Sequence, residues 1–261
     1  MLQQIAWLAA QVPLLRPMII ACFERRPYGA GGAGWNFQHP YDRAHGVRTS
    51  GAIPGFLLKA GDRLAQPTTI YAPAQPSIIR TALRQIPETQ HCHFIDIGCG
   101  KGRPLLIATE FGFPTITGVE LSPTVARIAR RNAVNYSRIH PQATRINIIV
   151  EDALTYKLPV GNLAIFLYHP FNVRAQMAQL LDNIEASLDA TNRSIYIVYY
   201  NPVWADVFDS SSNFQRRYTA HLPCDTREIG FGPVDSDTVV IWQNRGNSDV
   251  GACSALGGRT V

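Results

Sequence analysis

Five short apolar runs, separated by segments with helical patterning, constrain the fold of this chain more than any other feature of its sequence. The runs are rich in β-branched residues, and several lack the polar alternation of a half-exposed strand. They are CHFIDIG (92–98), TITGVEL (115–121), RINIIVE (145–151), LAIFLY (163–168) and SIYIVYY (194–200). Strands of this kind are typical of a parallel sheet that is covered on both faces.

The segments between these runs supply the crossovers that parallel strands require. They are the helix IIRTALRQI (78–86), a helix that begins at Ser122 and Pro123, and a helix over residues 173–188. Two later runs, RRYTAHLP (216–223) and TVVIWQN (238–244), have no helical pattern between them and predict a closing antiparallel pair. The whole pattern predicts an α/β fold. We expect a Rossmann-like, doubly wound, mostly parallel seven-stranded sheet with a C-terminal antiparallel strand pair, plus an N-terminal helical extension.

The chain divides into three regions. Residues 1–40 form an apolar helical extension ending in the glycine-rich linker YGAGGAGWNF, residues 41–244 hold the regular alternation, and the small, polar residues 245–261 are expected to be disordered. Two prolines and Arg16 interrupt the apolar segment, which argues against a spanning helix, and no positive charge precedes it as in a signal peptide. Two interpretations of residues 1–23 stay open: a helix packed on the domain or a partner, and a weak contact with a membrane surface.

Charge and cysteine content limit the possible functions. The 261-residue chain has a formal net charge of +5, and its basic clusters at 25–26, 130–131 and 216–217 are short, so we expect solvated surfaces and no nucleic-acid arm. Its five cysteines have no C-x-x-C spacing, which argues against a zinc site and against a disulfide framework. We therefore predict no metal and a reducing, cytoplasmic location, with peripheral membrane contact as the alternative. The oligomeric state is not predicted.

The stretch FIDIGCGKGR (94–103) follows the first run, at the place where doubly wound sheets bind ligands. A Walker phosphate loop needs a hydroxyl residue after its lysine, but Gly102 follows Lys101 here. A dinucleotide loop needs a third glycine where Arg103 stands, and a side chain there would obstruct the close approach of helix and strand. The first alternative fails and the second is weakened.

A third pattern, an acidic residue followed by three alternating glycines, fits the stretch without a gap. Its members are Asp96, Gly98, Gly100 and Gly102. This pattern resembles the loop of the class I S-adenosylmethionine (SAM) methyltransferases, and the resemblance covers roughly residues 70–244. It implies that SAM is the cofactor, that the backbone around Cys99 approaches the ligand, and that Asp96 organises the loop around the amino-acid end of the cofactor.

Acidic residues at the ends of the next two runs extend the resemblance. Glu120, followed by Leu121, stands where the family places an acid on the ribose hydroxyls, and a carboxylate can accept both hydroxyl protons. Asp152, followed by Ala153, stands where the family places an acid beside the adenine amine. Each acid also has a structural alternative, since Glu120 could cap the next helix and Asp152 could serve a turn.

One branch of the family is more similar than the others. YAPAQP (71–76) and the glycine loop resemble histone lysine methyltransferases of the disruptor-of-telomeric-silencing type, and DRAHGVRTSG (42–51) resembles a segment of bacterial proteins with this general pattern. The resemblance implies that Tyr71 folds over the cofactor as a lid. The alternative is a packed tyrosine in a proline-rich connector. Because no lysine-rich run is present, histone specificity is not carried over, and the acceptor is predicted only as a protein lysine or a small-molecule amine or hydroxyl.

The segment YHPFN (168–172) ends the fourth run, where the acceptor would meet the cofactor. It departs from the asparagine-containing motifs that the family has at this place. A histidine can accept a proton near neutral pH, so His169 is the predicted catalytic or orienting group, with a structural hydrogen bond as the alternative. Tyr168 and Phe171 would form walls of the methyl channel, and Asn201 could face the acceptor from the next strand end.

Two other functions stay open from the sequence. A nicotinamide-dependent oxidoreductase uses a similar sheet, and a non-catalytic protein could keep the fold and dock through its apolar N-terminus. The intact glycine loop and the acids at 120 and 152 favour an active methyltransferase over the non-catalytic protein.

Overall fold

The computed structural model describes residues 38–53, 71–188 and 193–246, together with Leu15, Met18 and Ile19. Most of the predicted extension and linker (1–40) and nearly all of the predicted tail (245–261) therefore lie outside the described residues. Within the described part of the chain, no helix is both long enough and apolar enough to cross a membrane.

The described residues form one seven-stranded sheet. Its strands are β1 (Cys92–Ile97), β2 (Thr115–Glu120), β3 (Ile146–Val150), β4 (Asn162–Tyr168), β5 (Ile195–Tyr200), β6 (Phe214–Pro223) and β7 (Ser236–Asn244). The order across the sheet is β3-β2-β1-β4-β5-β7-β6, with the first five strands parallel and β7 antiparallel to both of its neighbours. The predicted Rossmann-like fold with a closing antiparallel pair is confirmed. The strand order reverses between β1 and β4, which is where such sheets bind ligands.

Helices connect the strands on both faces of the sheet. They are α1 (Pro40–His45), α2 (Pro76–Leu83), α3 (Arg103–Ala108), α4 (Pro123–Ile139), α5 (Arg174–Ala186) and α6 (Ala205–Asp209). Helix α2 ends at Leu83, three residues before the predicted end at Ile86. The residues after it close tight turns instead, with the Ile86 N–H bonded to the Leu83 carbonyl at 3.2 Å, because the approach of Pro87 disfavours helical backbone at Ile86.

Two apolar clusters lie on opposite faces of the sheet. Alternate residues of β1 divide between them: Phe94 packs in the cluster that includes α2, α3 and α4, and Ile95 packs in the cluster that includes α5 and α6. Both side chains are fully buried. The strands are apolar along their length because both faces are covered, which is why they lack polar alternation.

A buried histidine begins α1. His39 Nδ1 accepts a hydrogen bond from the Tyr41 backbone N–H at 3.0 Å, so Nδ1 carries no proton. The neutral ring then has its proton on Nε2, which donates to Gln75 Oε1 at 3.2 Å. Burial, together with the positive charge of Arg103, lowers the pKa of His39 to about 4. Protonation would place an N–H against the N–H of Tyr41, so the folded protein holds this ring neutral.

Acid should destabilise the protein through His39. Its pKa is lower in the folded state than the usual 6.5, so the unfolded chain takes up the proton first and stability is lost as pH falls from 6.5 towards 4. At about pH 4.5 this loss amounts to roughly 2–3 kcal/mol. Denaturant unfolding at pH 7 and at about pH 4.5 measures it against His39→Asn, which can cap the helix but does not titrate. Equal acid sensitivity of the two proteins would contradict the assignment.

Candidate functional site

A cavity of about 640 Å³ opens at the carboxyl ends of β1, β2 and β4. Eleven of the twelve residues predicted for the site line it. They are Tyr71, Asp96, Gly98, Cys99, Gly100, Glu120, Leu121, Asp152, Ala153, Tyr168 and His169. Gly102, the twelfth, does not line the cavity: it precedes α3, and a side chain there would contact Ala129 and Leu105. The sequence thus located the cavity, with Gly102 serving the turn into the helix.

The glycine loop has a backbone that other residues rarely adopt. Gly98, Gly100 and Gly102 have φ values of 73°, 55° and 87°, in the left-handed region that favours glycine. The N–H groups of Gly98 and Cys99 both donate to the carbonyl of Val119, at 2.9 and 3.0 Å. The loop is therefore fastened to the end of β2, and its backbone faces the cavity.

Glu120 braces the loop with both of its carboxylate oxygens. Oε2 accepts the Gly100 N–H at 2.9 Å, and Oε1 accepts the Ser122 N–H at 2.8 Å at the start of α4. Burial raises the pKa of Glu120, and these two hydrogen bonds oppose that rise. Glu120 thus does bind the start of α4, as the structural alternative predicted, and it also binds the glycine loop. A carboxylate has about four acceptor positions, so capacity remains for the hydroxyls of a ligand.

Asp96 carries a buried oxygen that lacks a partner. The side chain is 2% exposed, and its Oδ2 has no hydrogen-bond partner among the described residues. Burial raises the pKa of Asp96 well above its usual range, and the negative charge of Glu120 adds to the effect. A buried oxygen without a partner calls for an explanation. A ligand that brings an N–H donor or a positive charge to this wall of the cavity would supply it.

Asp152 follows β3 and also has a structural role. Its Oδ1 accepts the Leu154 N–H at 3.0 Å, which forms the turn that the sequence left open as an alternative. Asp152 and Ala153 nevertheless line the cavity beside Glu151. The turn therefore places the acid at the cavity wall.

Tyr71 lies over the glycine loop. Its hydroxyl donates to the Thr49 carbonyl at 2.6 Å, and its backbone exchanges hydrogen bonds with Ile53 at 2.9 and 3.0 Å. A Cβ atom added to Gly100 would come within 2.5 Å of the Tyr71 ring atom Cδ2. The ring thus closes one side of the cavity at the point where the loop can carry no side chain.

The two basic residues of the glycine loop are buried, a feature that sequence reasoning missed. Lys101 and Arg103 are each 1% exposed. Lys101 Nζ donates to the carbonyl of Ser50 at 2.5 Å, and Arg103 donates to Thr49 Oγ1 at 2.7 Å and to the Ala74 carbonyl at 2.9 Å. These cations hold the upstream segment 42–51 against the loop, so they are not placed as phosphate ligands.

Asp42 anchors that upstream segment. Its carboxylate accepts the backbone N–H groups of Thr49 and Ser50, at 2.7 and 2.8 Å, and the hydroxyls of both residues. Arg103 Nη2 lies 3.6 Å from its Oδ1, and both side chains are 1% exposed. The segment DRAHGVRTSG (42–51) contains Asp42, Thr49 and Ser50. In the sequence it stood out only through its resemblance to a segment of bacterial proteins.

His169 begins the turn after β4. Its φ of 40° is unusual for a residue with a side chain, and Asn201, after β5, has a φ of 53°. Such backbone is often found at functional sites. His169 Nδ1 lies 3.4 Å from the Tyr199 hydroxyl. Burial lowers the pKa of His169, so the imidazole is neutral near pH 7 and can accept a proton.

The cavity has one acidic half and one uncharged half. The acidic half comes from β1, β2 and β3 and the loops that follow them; its carboxylates are Asp96, Glu120, Glu151 and Asp152. Among the described residues from β4 onwards, those that line the cavity carry no carboxylate and no lysine or arginine. They are Tyr168, His169, Pro170, Phe171, Asn172, Gln176, Gln179 and Asn201. The acidic half can bind hydroxyl, amine and ammonium groups, and the uncharged half can bind a neutral reactant.

Comparison with known proteins gives a match to one family model. Residues 95–188 match a family model described as a methyltransferase domain, and the comparison with curated proteins gave no match. Residues 95–188, about a third of the chain, are therefore similar to a methyltransferase domain. This match favours methyl transfer over the nicotinamide-dependent alternative.

Several solved structures are similar to this chain. Magnesium protoporphyrin IX methyltransferase from Synechocystis PCC 6803 with bound SAM is 11% identical, over 64% of this chain and 76% of that chain, with a TM-score of 0.46. TrmN from Thermus thermophilus is 14% identical, over 65% of this chain and 49% of that one, with a TM-score of 0.47. A ribosomal protein L11 methylase from Lactobacillus delbrueckii subsp. bulgaricus is 11% identical, over 63% and 76%, with a TM-score of 0.43.

The residues around the cavity fit SAM. The unpartnered Oδ2 of Asp96 suits the ammonium group at the amino-acid end of the cofactor. Glu120 keeps acceptor capacity for ribose hydroxyls, and the Tyr71 ring lies over Gly100 at one side of the cavity. Asp152 and Ala153 line the same cavity after β3.

Proposed function

We propose that this protein transfers a methyl group to an oxygen or nitrogen nucleophile that is uncharged when it binds, and that His169 accepts the proton that the nucleophile loses. The observation that carries the proposal is the uncharged half of the cavity, with a half-buried, neutral imidazole on its wall. Methylation by SAM as such rests on the domain match. The acceptor class and the role of His169 are the parts proposed here.

The side chains of the uncharged half have separable tasks. SAM supplies a methyl group on a sulfonium sulfur, which a nucleophile displaces in line. In the tautomer in which Nδ1 of His169 carries the proton, Nδ1 donates to the Tyr199 hydroxyl. Nε2 is then unprotonated and can accept the proton of the nucleophile. Tyr168 and Phe171 exclude water, which strengthens every polar contact inside the site. The amide of Asn201 can orient a hydroxyl or an amine.

The acceptor must arrive without charge. No described carboxylate from β4 onwards lines the cavity, so an ammonium group would be desolvated there without a partner. A hydroxyl meets this condition, and a lysine meets it after losing its proton to water. The likeness of residues 71–76 to the histone lysine branch, with Tyr71 lining the cavity, supports a protein amine as the first acceptor to test.

We also infer a cytoplasmic location. Cys92, Cys99 and Cys224 are buried free thiols, and thiols persist in a reducing compartment. Contact of residues 1–23 with a membrane surface or a partner stays a prediction, because almost all of that segment lies outside the described residues.

Replacing His169 by asparagine should lower turnover and change its pH dependence. Asparagine tolerates positive φ and stays polar, but it cannot accept a proton, so kcat should fall by about 10²- to 10⁴-fold with SAM affinity unchanged. In the native enzyme kcat should fall as pH drops below 6.5, because the lowered pKa of His169 places its protonation there.

The measurement is tritiated methyl transfer from SAM to a panel of lysine peptides, amines and phenols. Turnover and a pH profile that match the native enzyme in His169→Asn would remove the proposed role. Tyr199→Phe is the matched companion, because it keeps the imidazole and removes the hydroxyl beside it. The Tyr199→Phe variant should keep most of the native kcat, but the pH at which kcat falls on the acid side should shift.

A further inference from the structure

Helix α4 presents a row of arginines to solvent. Arg127, Arg130, Arg131 and Arg138 are all exposed. At 3.6 residues per turn these four positions fall within about 100° of the helix circumference. The opposite side of the helix is buried against the sheet, through Val125, Ala126, Ala129, Asn132 and Tyr136. The arginines therefore form one stripe along about 16 Å of helix.

Two more exposed arginines lie next to α4. The Arg48 N–H donates to Asn132 Oδ1 at 2.9 Å, and Asn132 Nδ2 donates to the Arg48 carbonyl at 3.1 Å, which fixes exposed Arg48 beside α4. Exposed Arg145 directly precedes β3, the strand against which α4 packs. We call this set the arginine face; it consists of Arg48, Arg127, Arg130, Arg131, Arg138 and Arg145.

No acid of the described residues forms an ion pair with the arginine face. Residues 121–150 contain no aspartate or glutamate. None of the six arginines forms an ion pair with another described residue, whereas five arginines elsewhere, at 80, 103, 174, 216 and 227, each pair with a carboxylate. The face carries six positive charges, one more than the formal net charge of the whole chain. A partner that brings negative charge is therefore the complement of this surface.

We propose that the arginine face binds a nucleic acid through its phosphate backbone. The guanidinium fork matches phosphate oxygens in pairs, and a row of such groups can follow successive phosphates. An anionic membrane fits less well, because the large hydrophobic side chains exposed on this helix are only Val134 and Ile139, with no aromatic residue to enter the headgroup region. The short Arg130–Arg131 cluster noticed in the sequence belongs to this surface.

The face begins at the rim of the cofactor cavity. Helix α4 starts two residues after Leu121, and both Leu121 and Val125 line the cavity. A bound strand would thus run from the cavity rim along α4. The binding itself needs no methyl transfer, so its test is independent of the function proposed above.

The test is fluorescence anisotropy with a labelled single-stranded RNA of about 20 nucleotides. With six phosphate contacts, the logarithm of the binding constant should fall against the logarithm of salt concentration with a slope of about −4. The variant Arg127→Gln/Arg131→Gln/Arg138→Gln removes half of the contacts. It should bind at least tenfold more weakly, with a slope of about −2.

The matched control is Arg174→Gln/Arg216→Gln/Arg227→Gln, which lowers the net charge by the same amount at arginines that are paired with acids. It should keep the slope and bind within about threefold of the native protein. Equal weakening of the two triple variants, or no RNA binding by the native protein at about 50 mM salt, would overturn the proposal. So would binding to vesicles of anionic phospholipid in the absence of RNA binding.

Discussion

Replacement of Gly100 by alanine should weaken SAM binding by about 100-fold, equivalent to roughly 3 kcal/mol. The new Cβ would lie within 2.5 Å of Tyr71 Cδ2, well inside the 3.5–4.0 Å at which carbon atoms normally meet. The ring cannot move aside freely, because its hydroxyl is bonded to Thr49 and its backbone is paired with Ile53. Either the lid opens or the loop shifts away from Glu120, and both changes deform the cofactor cavity.

Gly112→Ala is the matched control for this experiment. Gly112 has a φ of 73°, so alanine there carries a similar backbone cost of about 1–2 kcal/mol, but no atom of the described residues lies within 4 Å of the added Cβ. Calorimetric titration should show native SAM affinity for Gly112→Ala and greatly weakened binding for Gly100→Ala. If both variants bind SAM as the native protein does, Tyr71 is not held over the loop as described.

Replacement of Arg103 by methionine should cost about 3–5 kcal/mol of unfolding free energy, because it leaves Asp42 buried without a counter-charge. It also removes the hydrogen bonds to Thr49 and to the Ala74 carbonyl. For a domain of this size the thermal midpoint should fall on the order of 10 °C. SAM affinity should fall too, since the lid tyrosine is bonded to the same Thr49.

Arg227→Met separates this effect from the loss of any arginine. Arg227 pairs with Asp225 at 3.0 Å but is 84% exposed, so its removal should move the thermal midpoint by no more than about 1 °C. The double variant Asp42→Asn/Arg103→Met should lose less stability than the sum of the two single variants, because the two residues share one network. A loss below about 1 kcal/mol in Arg103→Met would show that the buried network is not what holds residues 42–51.

The positions of the strands and of the acids after them could be predicted because their signals are local. A strand buried on both faces needs apolar residues along its length, so each run in the sequence marks a strand directly. Parallel strands bring their carboxyl ends to one edge, so Glu120 and Asp152 could be placed near the glycine loop without knowledge of any contact. All three elements lie on one cavity.

The network around Asp42 could not be predicted, because its partners lie far apart in the sequence. Arg103 is a poor residue for a buried helix start by any local rule, and it is buried only because Asp42, Thr49 and Ala74 surround it. Asn132 gave no signal either, since a polar residue within a helix usually faces solvent. Its amide instead joins α4 to Arg48 and to the Lys101 carbonyl.

The central claim is that the glycine loop and the acids beside it form a SAM site, and calorimetric titration of the native protein tests it most directly. SAM and its demethylated product should each bind at one site with micromolar affinity, and NAD should give no signal. Binding of NAD without SAM would contradict the claim. So would silence from all three ligands in a protein whose circular dichroism shows that it is folded.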